Sequence, residues 1–285
     1  MVKYVGENGF QYTEELMEQL HYIGLEMLVE VDRICRKHHI KYEIDGGTLL
    51  GAVRYHGFIP WDDDVDIRML RRDYDRFICV CEKELDHDRF FLQTYHSDPG
   101  YRWGYGKLLR KGTVYEREHQ EMLTMKKMCF MDIMPAESFP TAGVLKKLYN
   151  FESFVYRKVS YSPVGAKYEK NPLYKSCYKI LSHVPLEVVR WGFDRLAYQY
   201  EGHRTKLTRT PGWGWQVESD GYLRSWSEHT CDLEFEGHML MAPKDYDGYL
   251  RFLYGDDYMT PPPAEKQIPE CSATRIDAGE IGVRT

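Results

Sequence analysis

The sequence predicts a mixed α/β fold carrying a basic helical insertion, on three observations. Apolar residues recur at three- and four-residue spacing over 13–39, short strand-like runs follow one another from 40 to 134, and 143–210 holds 13 Lys/Arg against five Asp/Glu with 12 aromatics. The 285 residues suit one large domain or two small ones, and 43% apolar content excludes wholesale disorder. A net charge of −6 lacks the basic footprint of a nucleic-acid binder, so no nucleic-acid partner is expected. No apolar run reaches the ~18 residues of a transmembrane helix. The first 16 residues lack the basic-then-apolar layout of a secretory signal, which predicts a cytoplasmic protein.

Taken in order, Leu16, Leu20, Ile23, Met27, Val31 and Ile34 form the apolar stripe of a helix over 13–39, with Glu14 and Glu15 suited to its first turn. Ile40 to Ile44 alternates as a strand, Asp45-Gly46-Gly47 breaks it as a tight turn, and Thr48 to Val53 reads as a short helix. Phe58 to Trp61 is a loop, the second half of 62–67 has strand character, and Arg71 to Leu85 returns to a helical period. Residues 90–93, 106–110 and 128–134 are further strands.

The charge then changes sign. Residues 143–210 carry a net +8 and read as helices separated by Pro163, Pro172 and Pro185. After Pro211-Gly212-Trp213-Gly214-Trp215, Leu233–Glu236 and His238–Met241 flank Gly237 as a hairpin, a helix covers 244–253, and the tail from Pro261 lacks periodicity. Three parts result: 1–142, the insertion 143–210, and 211–285 completing the core.

Seven cysteines at 35, 79, 81, 129, 177, 231 and 271 contain no CxxC pair and read as reduced, mostly buried thiols. A zinc site is the rival, yet Cys79 and Cys81 are the only close pair and have no second pair nearby.

Asp62, Asp63, Asp64 and Asp66 place four carboxylates in five residues, and on extended backbone 62, 64 and 66 share a face. Three anions on one face repel and call for a hard divalent cation with oxygen ligands, Mg²⁺ or Mn²⁺. A solvated acidic turn is the rival, weakened because Trp61, Val65 and Ile67 interleave the acids with bulky apolar groups. Upstream, Gly46-Gly47-Thr48 sits between strand and helix, where amides without a Cβ in the way approach a phosphate closely. An amide cradle and a metal site together make the two halves of a phosphoryl or nucleotidyl transfer site.

The block from Asp45 to Ile67 resembles the signature of the LicD family, which includes the fukutin-type transferases. The resemblance extends to Gly106–Thr113, to Met131-Asp132-Ile133-Met134-Pro135, and to runs between Phe235 and Asp256; the basic insertion matches no motif. It implies a nucleotidyltransferase-like core, with 1–142 catalytic, that moves a phospho-alcohol from a CDP donor to a glycan hydroxyl and releases CMP. CDP-choline is the favoured donor, CDP-ribitol, CDP-glycerol and CDP-ethanolamine the alternatives, and the acceptor is a lipid-linked or soluble precursor of teichoic acid or lipopolysaccharide type.

Carried onto this sequence, the resemblance gives Asp62, Asp64 and Asp66 to Mg²⁺, Gly46, Gly47 and Thr48 to the pyrophosphate, and Arg54 to phosphate charge. Asp132, on an apolar strand where a lone carboxylate is costly, is the third active-site acid; it or Asp66 is the base, beside the metal-bound Asp64. Lys107 and Arg110 add phosphate contacts or lie on an exposed edge. His38 and His39 suit a helix C-terminus, and His56 has no evident partner. Trp61, Trp103 and Tyr105 lie near the site in sequence, where aromatic faces suit a quaternary ammonium. The insertion either contacts the inner face of an anionic membrane or caps the site. Remaining rivals are a non-catalytic glycan- or membrane-binding protein and an enzyme adding AMP or UMP.

Overall fold

The computed structural model describes residues 1–211 and 220–280. The Gly-Trp-Gly-Trp run taken above as a boundary lies outside the described residues. In chain order the elements are β1 (Val2–Val5), β2 (Gln11–Thr13), α1 (Glu14–Lys37), β3 (Glu43–Ile44), α2 (Gly46–Tyr55), β4 (Asp66–Leu70), α3 (Arg71–Glu84), β5 (Phe90–Gln93), β6 (Gly106–Arg110), β7 (Val114–Arg117), β8 (Phe130–Phe139), α4 (Gly143–Tyr168), α5 (Pro172–Leu181), α6 (Leu186–Tyr198), β9 (Leu207–Arg209), β10 (Tyr222–Leu223), α7 (Arg224–Glu228), β11 (Thr230–Phe235), β12 (His238–Pro243), α8 (Tyr246–Tyr254) and β13 (Ala273–Asp277). The fold is mixed α/β.

Everything is organised around β8, whose ten residues are all buried. β4 lies parallel along one side of it, in register Asp66↔Asp132 to Leu70↔Ala136. On the other side, β6 pairs antiparallel with the first half and β9 with the second. Pro135, which has no N–H to give, falls between the last β6 pair at Ile133 and the first β9 pair at Glu137. β3, β5 and β10 complete the seven-stranded sheet.

Helix α1 starts at Thr13, whose Oγ1 accepts from the Leu16 N–H at 3.1 Å, and buries Met17, Leu20, Ile23, Met27, Val31 and Ile34 against the sheet. Glu236 and Gly237 both have positive φ, 49° and 74°, the primed turn that joins β11 to β12 as the expected hairpin. A second apolar cluster, including Tyr101, Phe139, Tyr149 and Phe193, lies beneath α4 and α6.

Two expectations are corrected. Pro163 does not separate helices: α4 runs through it from 143 to 168. The carbonyl of Val159, orphaned by the missing N–H, accepts from Ser162 Oγ at 2.6 Å and from Arg102 at 3.4 Å. The pair Gly46-Gly47 is not a turn before the helix but the first two residues of α2, capped by Asp45. The tail, aperiodic in sequence, carries β13, which pairs antiparallel with β7, two strands that sequence periodicity did not reveal.

Candidate active site

The parallel register of β4 and β8 sets Asp66 beside Asp132, the antiparallel register of β6 sets Lys107 beside Asp132, and β5 adds Gln93 beside Lys107. Four strands thus carry a row of polar residues, acid, acid, base and amide, at one level of the sheet. Lys107 Nζ is ion-paired with Asp132, with its ammonium 3.5 Å from the Phe130 ring centre. The cation that a buried Asp132 needs is therefore Lys107, a neighbour across the sheet rather than in sequence.

The acidic run divides by function. Asp63 turns inward, where one oxygen accepts from the Tyr12 hydroxyl at 2.8 Å and from Tyr115, and the other from the Cys271 N–H at 3.3 Å. Anchored there, the chain turns Asp62, Asp64 and Asp66 the other way, onto the wall of a cavity of about 1040 Å³ that Asp132, Gly46 and Gly47 also line. Asp62 and Asp64 lie against each other. Burial, then the charge of Asp64, pushes the Asp62 carboxyl well up; burial, then Asp64 and Asp132, does the same for Asp66. Burial and the Asp63 charge push Asp64 up to about 7. Such a group of hard oxygen donors, each costly to ionise beside the others, is what a small divalent cation relieves, so the donor set fits Mg²⁺.

Asp63, Asp64 and Cys271 also bring ligand-type atoms within 4.8 Å of one another. Both oxygens of Asp63 are occupied, and burial raises the Cys271 thiol so that it donates to Asp64 at 2.8 Å. This trio is a hydrogen-bonded brace. Cys79 is exposed and Cys81 buried, and all seven cysteines are free, in line with reduced thiols.

Asp45 holds the start of α2. Its carboxylate accepts from the Gly46 N–H at 2.8 Å, from Arg68 Nε at 2.9 Å and from the Tyr249 hydroxyl. Gly46 has φ +52°, and a Cβ on Gly47 would collide with the Asp62 carboxylate. The glycines let the positive end of α2 meet the acids directly.

The remaining predicted residues fall differently. Thr48 Oγ1 accepts from the Asp66 N–H at 2.9 Å, so its side chain aligns β4 instead of facing the cavity. Arg54 lines the cavity, while its Nη2 donates to the carbonyls of Tyr258 and Thr260 and ties down the tail. Arg110 is not in the site: it pairs with Glu26 at 2.9 Å at the other end of β6. Trp61 lines the acidic cavity, whereas Trp103 and Tyr105 line a different one beyond Lys107. His38 caps the C-terminus of α1 as expected, and His56 in left-handed backbone ends α2.

Sequence reasoning missed Asp45, Cys271, Arg117 and Tyr254. Asp before Gly-Gly at a helix start is a legible N-cap signal; the other three reach the site only through long-range packing.

The family model for the LicD/FKTN/FKRP nucleotidyltransferase domain matches residues 39–163. The chain is 28% identical over 257 residues to the lipopolysaccharide cholinephosphotransferase LicD of Haemophilus influenzae, covering 87% of this chain and 92% of that protein. It is also 46% identical over 48 residues to uncharacterized proteins of Rickettsia prowazekii and Rickettsia typhi, 17% of this chain in each case and 18% and 16% of theirs.

Proposed function

We propose, from the premise that the chain is a LicD-family transferase whose matched domain spans residues 39–163, that it transfers phosphocholine from CDP-choline to a hydroxyl of a lipopolysaccharide- or teichoic-acid-type glycan precursor and releases CMP. The observation that carries this reading is the convergence of Asp62, Asp64, Asp66 and Asp132 with the glycine-started helix α2 on one cavity.

Asp62, Asp64 and Asp66 would hold Mg²⁺, which when bound neutralises charge on the donor diphosphate. The N-terminal amides of α2 face the same phosphates, and Gly47 keeps that approach open. Asp132 accepts the proton of the attacking hydroxyl, with Lys107 fixing its position and its charge. The acceptor oxygen bonds to the β-phosphorus as its bond to the bridging oxygen breaks, and the electron pair leaves with CMP.

Choline is favoured over ribitol or glycerol by the cavity's own charge. Eight carboxylates and three cations line it, with Trp61, Tyr254 and Tyr258 among its walls. Acids and aromatic faces together suit a quaternary ammonium. Trp103 and Tyr105, in a cation-rich cavity, do not.

A thermal melt with CDP-choline, CDP-ribitol, CDP-glycerol and ATP, each with and without Mg²⁺, tests the reading. A ligand at about 100 times its dissociation constant stabilises the native state by ~2.7 kcal/mol. A Mg²⁺-dependent shift with CDP-choline supports the reading; a shift with ATP alone moves it to nucleotidyl transfer.

A further inference from the structure

Beyond the Lys107–Asp132 pair lies a second cavity of about 500 Å³ that the acidic site does not use. Its cations are Lys107, Arg117, Lys126, Lys127, Arg157 and Lys158, and no carboxylate residue lines it among the described residues. They come from four places in the fold: β6, the end of β7, the loop before β8, and α4. Most are not neutralised. Arg117 Nε donates to the Cys271 carbonyl at 3.1 Å, Lys127 Nζ to the Glu121 carbonyl at 2.9 Å, and Lys158 Nζ to the Tyr178 hydroxyl at 2.9 Å, all uncharged acceptors. Lys107 alone of the six has a carboxylate salt bridge among the described residues.

Cations from separate elements, gathered in a concave site whose own lining holds no carboxylate, repel one another, and away from Lys107 and Arg117, which Asp132 balances, they hold a positive potential that an anion relieves. Trp103, Tyr105 and Tyr161 give this cavity flat apolar walls, which suit the face of a sugar ring. Arg117 lines both cavities, and Lys107 here touches Asp132 there, so the two sites meet across one ion pair.

We propose that this cavity is the acceptor subsite and that it selects a glycan bearing a phosphate group. The inference rests on the transferase reading above: with the donor diphosphate at the acids and α2, the second reactant reaches Asp132 from the opposite side, through the cationic cavity. The phosphate sits among Lys126, Arg157 and Lys158, the sugar lies against the aromatic walls, and the reacting hydroxyl points to Asp132.

Glucose 1-phosphate and methyl glucoside serve as charged and neutral probes, titrated by calorimetry in EDTA so that no metal bridges to the acids. Glucose 1-phosphate binds saturably to the wild type and methyl glucoside does not. Arg157→Gln/Lys158→Gln, and separately Lys126→Gln, weaken that binding about tenfold, roughly 1.4 kcal/mol, while melting in buffer and the Mg²⁺-dependent CDP-choline shift stay as in the wild type. Absence of saturable binding, equal binding by the variants, or loss of the CDP-choline shift together with phosphate binding each overturns the proposal, the last because the cavity would then belong to the donor. Failure of the transferase reading is distinguishable, since it appears as no CDP-choline shift in the wild type whatever glucose 1-phosphate does.

Discussion

At the scale of single residues, the four acids between 62 and 66 divide between structure and chemistry because donors occupy both carboxylate oxygens of Asp63, whereas Asp64 has one donor, the Cys271 thiol, and turns to the cavity with Asp62 and Asp66. Asp63 is 6% exposed and satisfied by two tyrosine hydroxyls and an amide, while Asp62, Asp64 and Asp66 face the cavity. Asp64→Asn therefore abolishes turnover with little change in melting temperature, and a fully active variant would remove Asp64 from the metal site. Tyr115→Phe acts in the opposite way: it strips a donor from a buried carboxylate and costs about 1–3 kcal/mol in urea unfolding. Glu43 offers a test by pH. It is 1% exposed, accepts from Ser227 Oγ at 2.7 Å, and burial pushes its carboxyl up from the ordinary 4.5 to about 8. The fold favours the free acid, so this group's contribution is complete below about 4.5 and is lost as pH rises to about 8. Glu43→Gln keeps the hydrogen bond without the proton, so relative to the wild type it melts higher at pH 8 than at pH 4; the same difference at both would contradict the assignment.

At the scale of elements, what the sequence made legible was whatever is local. The stripes of α1 and α3, the β11–β12 turn and the alternation that turns Asp62, Asp64 and Asp66 together all follow from spacing within a few residues. The pairing of Asp132 with Lys107 did not, because it depends on the register of β6 against β8, set by the whole sheet. Nor did β7 with β13, whose paired residues lie some 160 positions apart: Arg275 opposite Glu116. Pro163 misled because its cost depends on whether the orphaned carbonyl finds donors, and Ser162 and Arg102 supply them. At the start of α2, Gly47→Ala pushes a methyl into Asp62 and is expected to lower kcat/KM on the order of 100-fold, by misplacing the acid, while leaving the helix intact.

At the scale of the whole molecule, charge and apolar exposure are unevenly spread. Of the 21 large hydrophobic side chains exposed among the described residues, 13 lie on α4, α5 and α6, including Val144 at 81%, Phe151 at 63%, Ile180 at 73% and Trp191 at 59%. They share the +8 stretch with the lysines and arginines. No helix among the described residues is long and apolar enough to cross a membrane, so contact would be peripheral. The account predicts sedimentation with phosphatidylglycerol vesicles at low salt, weakened by salt and by Phe151→Glu/Trp191→Glu; failure of the wild type to bind would leave these helices as a cap only. Such a surface would bring α4, which lines the cationic cavity with Arg157, Lys158 and Tyr161, close to an acceptor carried on lipid.

The most direct test of the central claim is calorimetric titration of CDP-choline into the wild type and Asp64→Asn, with Mg²⁺ and with EDTA. The account predicts saturable binding by the wild type with Mg²⁺, at least about tenfold weaker binding in EDTA or in the variant, and unchanged melting of the unliganded variant. Equal affinity in all four titrations would contradict it, because the acids gathered by β4 and β8 would then have no part in holding the donor.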